Sequence, residues 1–355
     1  MKELLKGILH SKVFYKIIHS IPFQYPKEKL IAFDRFLIAV KEAGPEGCLG
    51  VLKPYVQVIE VEERKNVELL QFLPITLINP PEAWDKYDQK LFVFDHRGKV
   101  KVKYPYGVHF NPTALCQYAF SIYDTYLRTK SDQWKTLFFK QVDFLLEEGE
   151  ESEREFRVPY RFDFFDMVKG PWLSALAQAQ AGSFLMRAYI LSGNNDYRML
   201  AKKAFNAINA TNKLDIILFD YRWAEEYPTE KPSCVINGLA WVIMSMLEFV
   251  QVFPDEQEIK KQVQDYIRTY KENVDKYDLE KYKIRYSLMN DRLVNNSYRG
   301  FQCLQMLQIY WYTKDLFFYN RHLKWQDNFD HEEFVSAYLP FNILNRRLRD
   351  ISKGL

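Results

Sequence analysis

The 355 residues are enough for one large domain or two modest ones, and 48% apolar content excludes a disordered chain. Lys+Arg 49 against Asp+Glu 46 leaves +3, so no charge excess points to nucleic acid as a partner. With only 13 glycines and neither a GxGxxG nor a GxxxxGKS/T, a phosphate-cradling loop is not indicated, whereas 24 Tyr, 27 Phe and 7 Trp make the chain rich in aromatic rings.

Residues 1–23 place apolar side chains at helical spacing between Lys2, Lys6, Lys12 and Lys16. They lack the unbroken apolar run and small-residue cleavage site of a signal peptide. Such a helix suits an anionic membrane surface through residues 1–20, and equally a position on the body with its lysines outward. No stretch approaches the ~18 consecutive apolar residues of a membrane span. Residues 28–43 predict a short amphipathic helix closed by Gly44-Pro45. Loose alternation over 51–62 and a hairpin of Leu91–Phe94 with Val100–Tyr104 predict a small β element between about 50 and 105.

Beyond it the spacing predicts helices over 113–128, 132–148, 173–192, 196–210, 235–252, 255–275 and 296–313, with long irregular segments at 149–171 and 211–234. The acidic run Glu147–Glu155 has no calcium-loop spacing and reads as a solvated loop. A mainly α chain follows: an N-terminal α+β region over 1–105 that holds the only sheet, then an α/α barrel (toroid-like) domain over 106–355 whose long loops build the site. Cys48, Cys116, Cys234 and Cys303 are far apart and form no CxxC, which points to reduced, buried thiols and a cytoplasmic setting. Six scattered histidines include no HExxH, so no metal site is expected, and no GxSxG signals a serine hydrolase.

Four clusters could carry chemistry. Trp223-Ala224-Glu225-Glu226-Tyr227-Pro228 gathers two carboxylates, an indole and a phenol. A glutamate beside a ring is partly desolvated and gains base strength, although the rings could equally anchor a loop whose glutamates face water. Trp172 to Gln180 enters a helix rich in small residues, where Gln178 and Gln180 cannot share a face. Arg187, seven residues past Gln180, could clamp a carboxylate or form a buried ion pair. Arg285-Tyr286 and Tyr298-Arg299 supply phenols and guanidinium groups, and Tyr104-Pro105-Tyr106 with Asn111-Pro112 adds rings and amides. Together they suit an acidic-sugar cleft, where rings stack on sugar faces and polar groups read hydroxyls and carboxylates.

The order of these words resembles the C-terminal domain of the D-glucuronyl C5-epimerases, over about residues 106–313. Asn111-Pro112 through Gln117-Tyr118 resembles a family segment with proline before an AQYGL-like run. Trp172 to Gln180 and Arg187-Ala188-Tyr189 are close to WxSAxAQGQ and RAY, Trp223 to Pro228 to WYEEYP, and Val235 to Gly238 to VLNG. Tyr286 with Leu288 is similar to a YDL element, and Tyr298 to the tyrosine of a later YH motif. The chain departs from the pattern at Ala224, Ala179, Ser287, Met289, Arg299 and Gln302. The resemblance implies an α/α-barrel isomerase without organic cofactor that acts on an acidic polysaccharide. It implies Glu226 as one base, Tyr298 as the opposed acid, and Tyr227 and Tyr286 as supports or relays. Arg187, Trp172, Gln180, Asn237, Arg285, Arg299, Tyr106 and Asn111 are the expected substrate-binding set. A polysaccharide lyase on the same scaffold, a non-catalytic glycan-binding protein of a capsule-type pathway, and a homodimeric assembly are all compatible with these residues.

Overall fold

The computed structural model describes residues 27–62, 64–71, 81, 84, 92–210, 213–218, 220–279, 284–289, 293–294 and 296–327, with the side chains of 27–34, 210, 296–298 and 327 left out. The basic helix expected over 1–23 lies outside the described residues. The chain opens with α1 (Lys27–Leu52), which breaks at Gly44 (φ 70, ψ −179) and resumes at Pro45, so the expected stop is a kink. Only glycine takes that positive φ without strain.

Two antiparallel elements follow: hairpin β1 (Val56–Val61) with β2 (Arg64–Leu70), and the meander β3 (Phe92–Phe94), β4 (Val100–Tyr104), β5 (Gly107–Phe110). The expected β3–β4 hairpin is present, its turn fixed by the Asp95 carboxylate, which accepts from the Arg97 and Lys99 amides, and by Gly98 at φ 86. The β4–β5 turn is Pro105-Tyr106 itself, so the meander runs across the 105/106 boundary.

The rest is helical: α2 (Pro112–Thr129), α3 (Asp132–Glu148), α4 (Ala175–Ser192), α5 (Asn195–Asn206), α6 (Ile236–Val252), α7 (Gln257–Asn273), α8 (Asn296–Thr313) and α9 (Leu316–Asp327). Local signals set their ends. Asn111 caps α2 ahead of Pro112, Ser174 caps α4, and Gly193 in the left-handed region ends α4. α9 was not expected; it starts where the Asp315 carboxylate accepts the Phe317 amide. Two more hairpins correct the expectation of a sheet-free helical half: β6 (Glu150–Glu151) with β7 (Phe156–Arg157), and β8 (Asp215–Leu218) with β9 (Tyr221–Ala224). They fill both segments read as irregular, because extended chain crossing a packed surface must pair its backbone groups.

The helices form hairpins α2–α3, α4–α5, α6–α7 and α8–α9, and α2, α4, α6 and α8 pack side by side in that order. α4 and α6 are buried almost all round, whereas α5 and α7 bury one stripe and turn a polar face outward. One continuous hydrophobic core runs from Phe36 to Trp325. All four cysteines are buried unbridged thiols, and burial pushes the Cys48 thiol up to about 12. The acidic run is paired rather than caged: Glu147 meets Arg97, Glu148 Lys99, Glu150 Arg161 and Glu151 Lys203. Among the described residues no helix is long and apolar enough to cross a membrane, and no group of three His, Cys, Asp or Glu could hold a metal ion.

Candidate active site

The N-terminal ends of α4 and α6 lie together, and the loop after β9 is stitched between them. The Glu225 amide donates to the Leu214 carbonyl (2.7 Å) and its own carbonyl accepts from the Ala175 amide at the start of α4 (3.0 Å). The Glu225 carboxylate accepts from the Ser233 amide (3.0 Å), the Ser233 hydroxyl and the Cys234 amide (2.9 Å). It therefore closes the loop 225–234 from inside, and burial raises its pKa against the pull of those donors. Trp223, fully buried and 6.2 Å from the Tyr277 ring, anchors the same loop. The two adjacent glutamates thus have separate tasks.

Glu226 follows in the bend after β9. Its carboxylate stands against the first turn of α6: a Cβ at Gly238 would lie 2.9 Å from Glu226 Oε2 and 3.0 Å from Glu226 Cβ. The VLNG-like word has its physical reason there, since only a glycine lets the carboxylate come so close. α6 has neither a side-chain cap nor an acidic residue in its first turn, and its first amide donates to the Tyr286 carbonyl (3.4 Å). An anion belongs at that positive end of the helix dipole. The Tyr286 hydroxyl donates to Glu226 Oε1 at 3.5 Å.

Rings wall this group. The Tyr227 ring stacks on Phe164 (centroids 5.2 Å, 10°) and lies 6.0 Å from Trp172. Trp172 stacks face to face on Tyr160 (4.0 Å, 6°), its indole N–H held by the Phe162 carbonyl. The Tyr160 hydroxyl meets the Thr113 hydroxyl (2.8 Å) and Asn111 Oδ1 (3.4 Å). Asn111 Nδ2 in turn donates to the Tyr104 hydroxyl (2.7 Å), and Tyr104 stacks on Tyr106 (5.3 Å, 7°). Burial, with the charge of Glu226 adding to it, holds the Tyr160 phenol well above its ordinary pKa, so it stays a neutral donor.

The structure thus brings Glu226, Tyr227, Tyr286, Trp172, Asn111 and Tyr106 into one connected cluster. Asn237 lies beside Gly238 on α6, its carbonyl accepting from Gln305 Nε2 (3.0 Å). Arg285 and Arg299 are half-buried, the first next to Tyr286 and the second on the first turn of α8. The backbone puts Tyr298 on that turn, while its side chain is outside the described residues. Gln180 sits within α4, fully enclosed.

Arg187 corrects the expectation of a substrate clamp. Its guanidinium pairs both nitrogens with Glu248 on α6 (Nη2–Oε1 2.9 Å, Nη1–Oε2 3.0 Å), bonds the Ser183 hydroxyl and lies over the Phe120 and Tyr123 rings. The pair is 2% and 0% exposed, which leaves no edge of the fork for a ligand. Sequence reasoning missed Tyr160, which sits in an aperiodic stretch. Its only signal was the density of rings from Tyr160 to Phe165.

The family description "D-glucuronyl C5-epimerase C-terminus" matches residues 150–327, half of the chain. The chain belongs to this epimerase family. Glu226, Tyr227, Tyr286, Tyr160 and Trp172 fall inside the matched epimerase segment, whereas Tyr104, Tyr106 and Asn111 precede it. An uncharacterized protein of Methanocaldococcus jannaschii is 27% identical over 180 residues, 48% of this chain and 56% of the relative, so the chain spans little more than half of that relative's length. Among solved structures, the cellobiose 2-epimerase of Bacillus thermoamylovorans is similar at a TM-score of 0.45 and 14% identity, over 61% of this chain and 60% of that one. A D-mannose isomerase gives 0.46 and 12%, over 90% and 86%.

Proposed function

We propose that this epimerase-family chain inverts C5 of D-glucuronosyl or similar uronosyl residues in an acidic polysaccharide, and that its inner helices close into an α/α barrel around the site. The observation that carries the reading is the Glu226 carboxylate 3.5 Å from the Tyr286 hydroxyl, at a helix N-terminus and inside a wall of rings.

The C5 hydrogen of a uronosyl residue lies α to a carboxylate. Its removal needs a base on one face, a proton donor on the other, and hydrogen bonds for the carboxylate as it becomes enolate-like. Glu226 is the base. Tyr286 and the neutral phenol of Tyr160 are donors to the developing charge, and Arg285 and Arg299 supply positive charge nearby. Tyr298, on the first turn of α8, returns the proton from the opposite face. Trp172, Tyr227 and Tyr106 offer faces for sugar rings, and Asn111 and Asn237 read hydroxyls.

Incubation with uronic-acid polymers in heavy water tests this directly. Deuterium at C5 in an intact polymer supports it. An unsaturated, UV-absorbing chain end would make the protein a lyase, and binding without exchange would make it a glycan-binding protein. Either result overturns the proposal.

A further inference from the structure

Glu226 and Tyr286 come from two separate segments of the chain, and one buried tyrosine is bonded to both. Tyr277 ends a 3₁₀ turn (Val274–Tyr277) after α7 and is fully buried. Its backbone carbonyl accepts from the Arg285 amide (2.8 Å), one residue before Tyr286. Its hydroxyl donates to the Cys234 carbonyl, at the far end of the loop that begins with Glu225. Its ring lies nearly parallel to that of Trp223, at 13°. Burial holds the phenol well above its ordinary pKa, so it stays a donor.

Cys234 is where the two segments are joined. It takes φ 49, a left-handed conformation that a residue with a side chain keeps only where its surroundings hold it. Here both of its backbone groups are held: the amide donates to the Glu225 carboxylate (2.9 Å), and the carbonyl accepts from Tyr277. The next residues open α6, whose first amide, that of Ile236, reaches the Tyr286 carbonyl (3.4 Å). A closed frame results, running from Glu225 through Cys234 and Tyr277 to Arg285. Glu226 follows one end of it and Tyr286 the other, and the two side chains meet at 3.5 Å, the long limit of a hydrogen bond. A small opening of the frame would part them.

We propose that Tyr277 is a positioning residue, which sets the approach of the Tyr286 hydroxyl to the Glu226 carboxylate by tying the Cys234 carbonyl to the segment that carries Tyr286. The proposal rests on the epimerase reading above. Tyr277 touches no reacting atom; it acts through the distance between the base and the donor beside it. Without its hydroxyl the peptide after Cys234 loses its partner, the left-handed residue can relax, and the loop that presents Glu226 shifts against the start of α6.

Tyr277→Phe keeps the ring against Trp223 and removes only the hydroxyl, so the fold should persist with a melting temperature lower by roughly a few degrees, as for any lost buried hydrogen bond. Tyr310→Phe is the matched control, because its hydroxyl also donates to a backbone carbonyl, that of Pro45 (3.1 Å), near the far end of α8. In C5 exchange in heavy water, kcat should fall roughly tenfold in Tyr277→Phe, the cost of moving a reacting group by about half an ångström, with KM for the polymer unchanged. Tyr310→Phe should keep the wild-type kcat. Tyr286→Phe removes the bond to Glu226 outright. In that background Tyr277→Phe should lower exchange by no more than about twofold, while its effect on the melting temperature stays the same. A merely structural role would lower exchange by the same factor in both backgrounds. That result, or an undiminished kcat in Tyr277→Phe, overturns the positioning role and leaves the epimerase standing, whereas a wild type that exchanges nothing overturns both.

Discussion

Gly238→Ala separates activity from stability, because the new methyl group presses on the Glu226 carboxylate while the stability terms at this position nearly cancel. The new Cβ would sit 2.9 Å from Glu226 Oε2, about 0.5 Å inside the 3.4 Å at which ordinary contact begins. The backbone of α6 is buried and fixed, so the carboxylate must yield, which disturbs a Tyr286 bond already 3.5 Å long. Misplacement of a reacting group by 1 Å costs on the order of 10²-fold, so about half of that should lower C5 exchange by roughly tenfold. Helix propensity favours alanine by about 1 kcal/mol, and overpacking costs about 1 kcal/mol or more, so the melting temperature should barely move. Deuterium incorporation followed by NMR, beside a thermal melt, reads both quantities. Gly50→Ala is the control, since a Cβ there meets nothing within 4 Å. Full exchange activity in Gly238→Ala with an unchanged melt would refute the placement of Glu226 as the base.

Glu226→Gln keeps shape and removes the base, so exchange should drop by roughly 10²- to 10⁴-fold with polymer affinity nearly unchanged in isothermal titration. Arg187→Met strands a buried Glu248 carboxylate and should cost about 3–5 kcal/mol in urea unfolding, while Arg187→Met with Glu248→Leu should recover most of it; equal losses would show that the pair is not the cause. The Glu225 carboxyl, raised above 4.5 mainly by burial, favours the folded state while protonated, a contribution complete below the unfolded value and lost as pH rises through the folded one. Relative to Glu225→Gln, the wild type should therefore lose stability as pH climbs from about 4.5 upward, and parallel curves in chemical denaturation would contradict this.

How much was legible follows from the range of each interaction. Apolar spacing alone located seven helices to within a few residues, because each buries a stripe that repeats locally. The same spacing exists in α9, at Phe318, His322 and Trp325, all buried, and could have been read. The hairpins β6–β7 and β8–β9 are too short to show a period. Glu226, Tyr227 and Tyr286 were singled out because uncommon runs of residues mark them. Arg187 was read as a carboxylate clamp or as half of a buried ion pair; the structure shows the pair, and nothing in the local sequence says that its partner is Glu248, sixty-one residues on. Tyr160, marked only by the density of rings around it, was missed for the complementary reason: its place comes from contacts with Asn111, Thr113 and Trp172.

Asn111 ties cleft geometry to the start of a helix through a single side chain. One amide oxygen accepts the Ala114 N–H that begins α2 and also meets the Tyr160 hydroxyl, while the amide nitrogen holds the Tyr104 hydroxyl. A sugar that drew the Tyr160 phenol toward itself would release that oxygen, one that drew Tyr104 would pull on the amide nitrogen, and the first turn of α2 would tighten or fray in response. The backbone amides of Ala114 and Leu115, both bonded to Asn111, are therefore natural reporters: their hydrogen-exchange rates read the occupancy of the cleft from outside it.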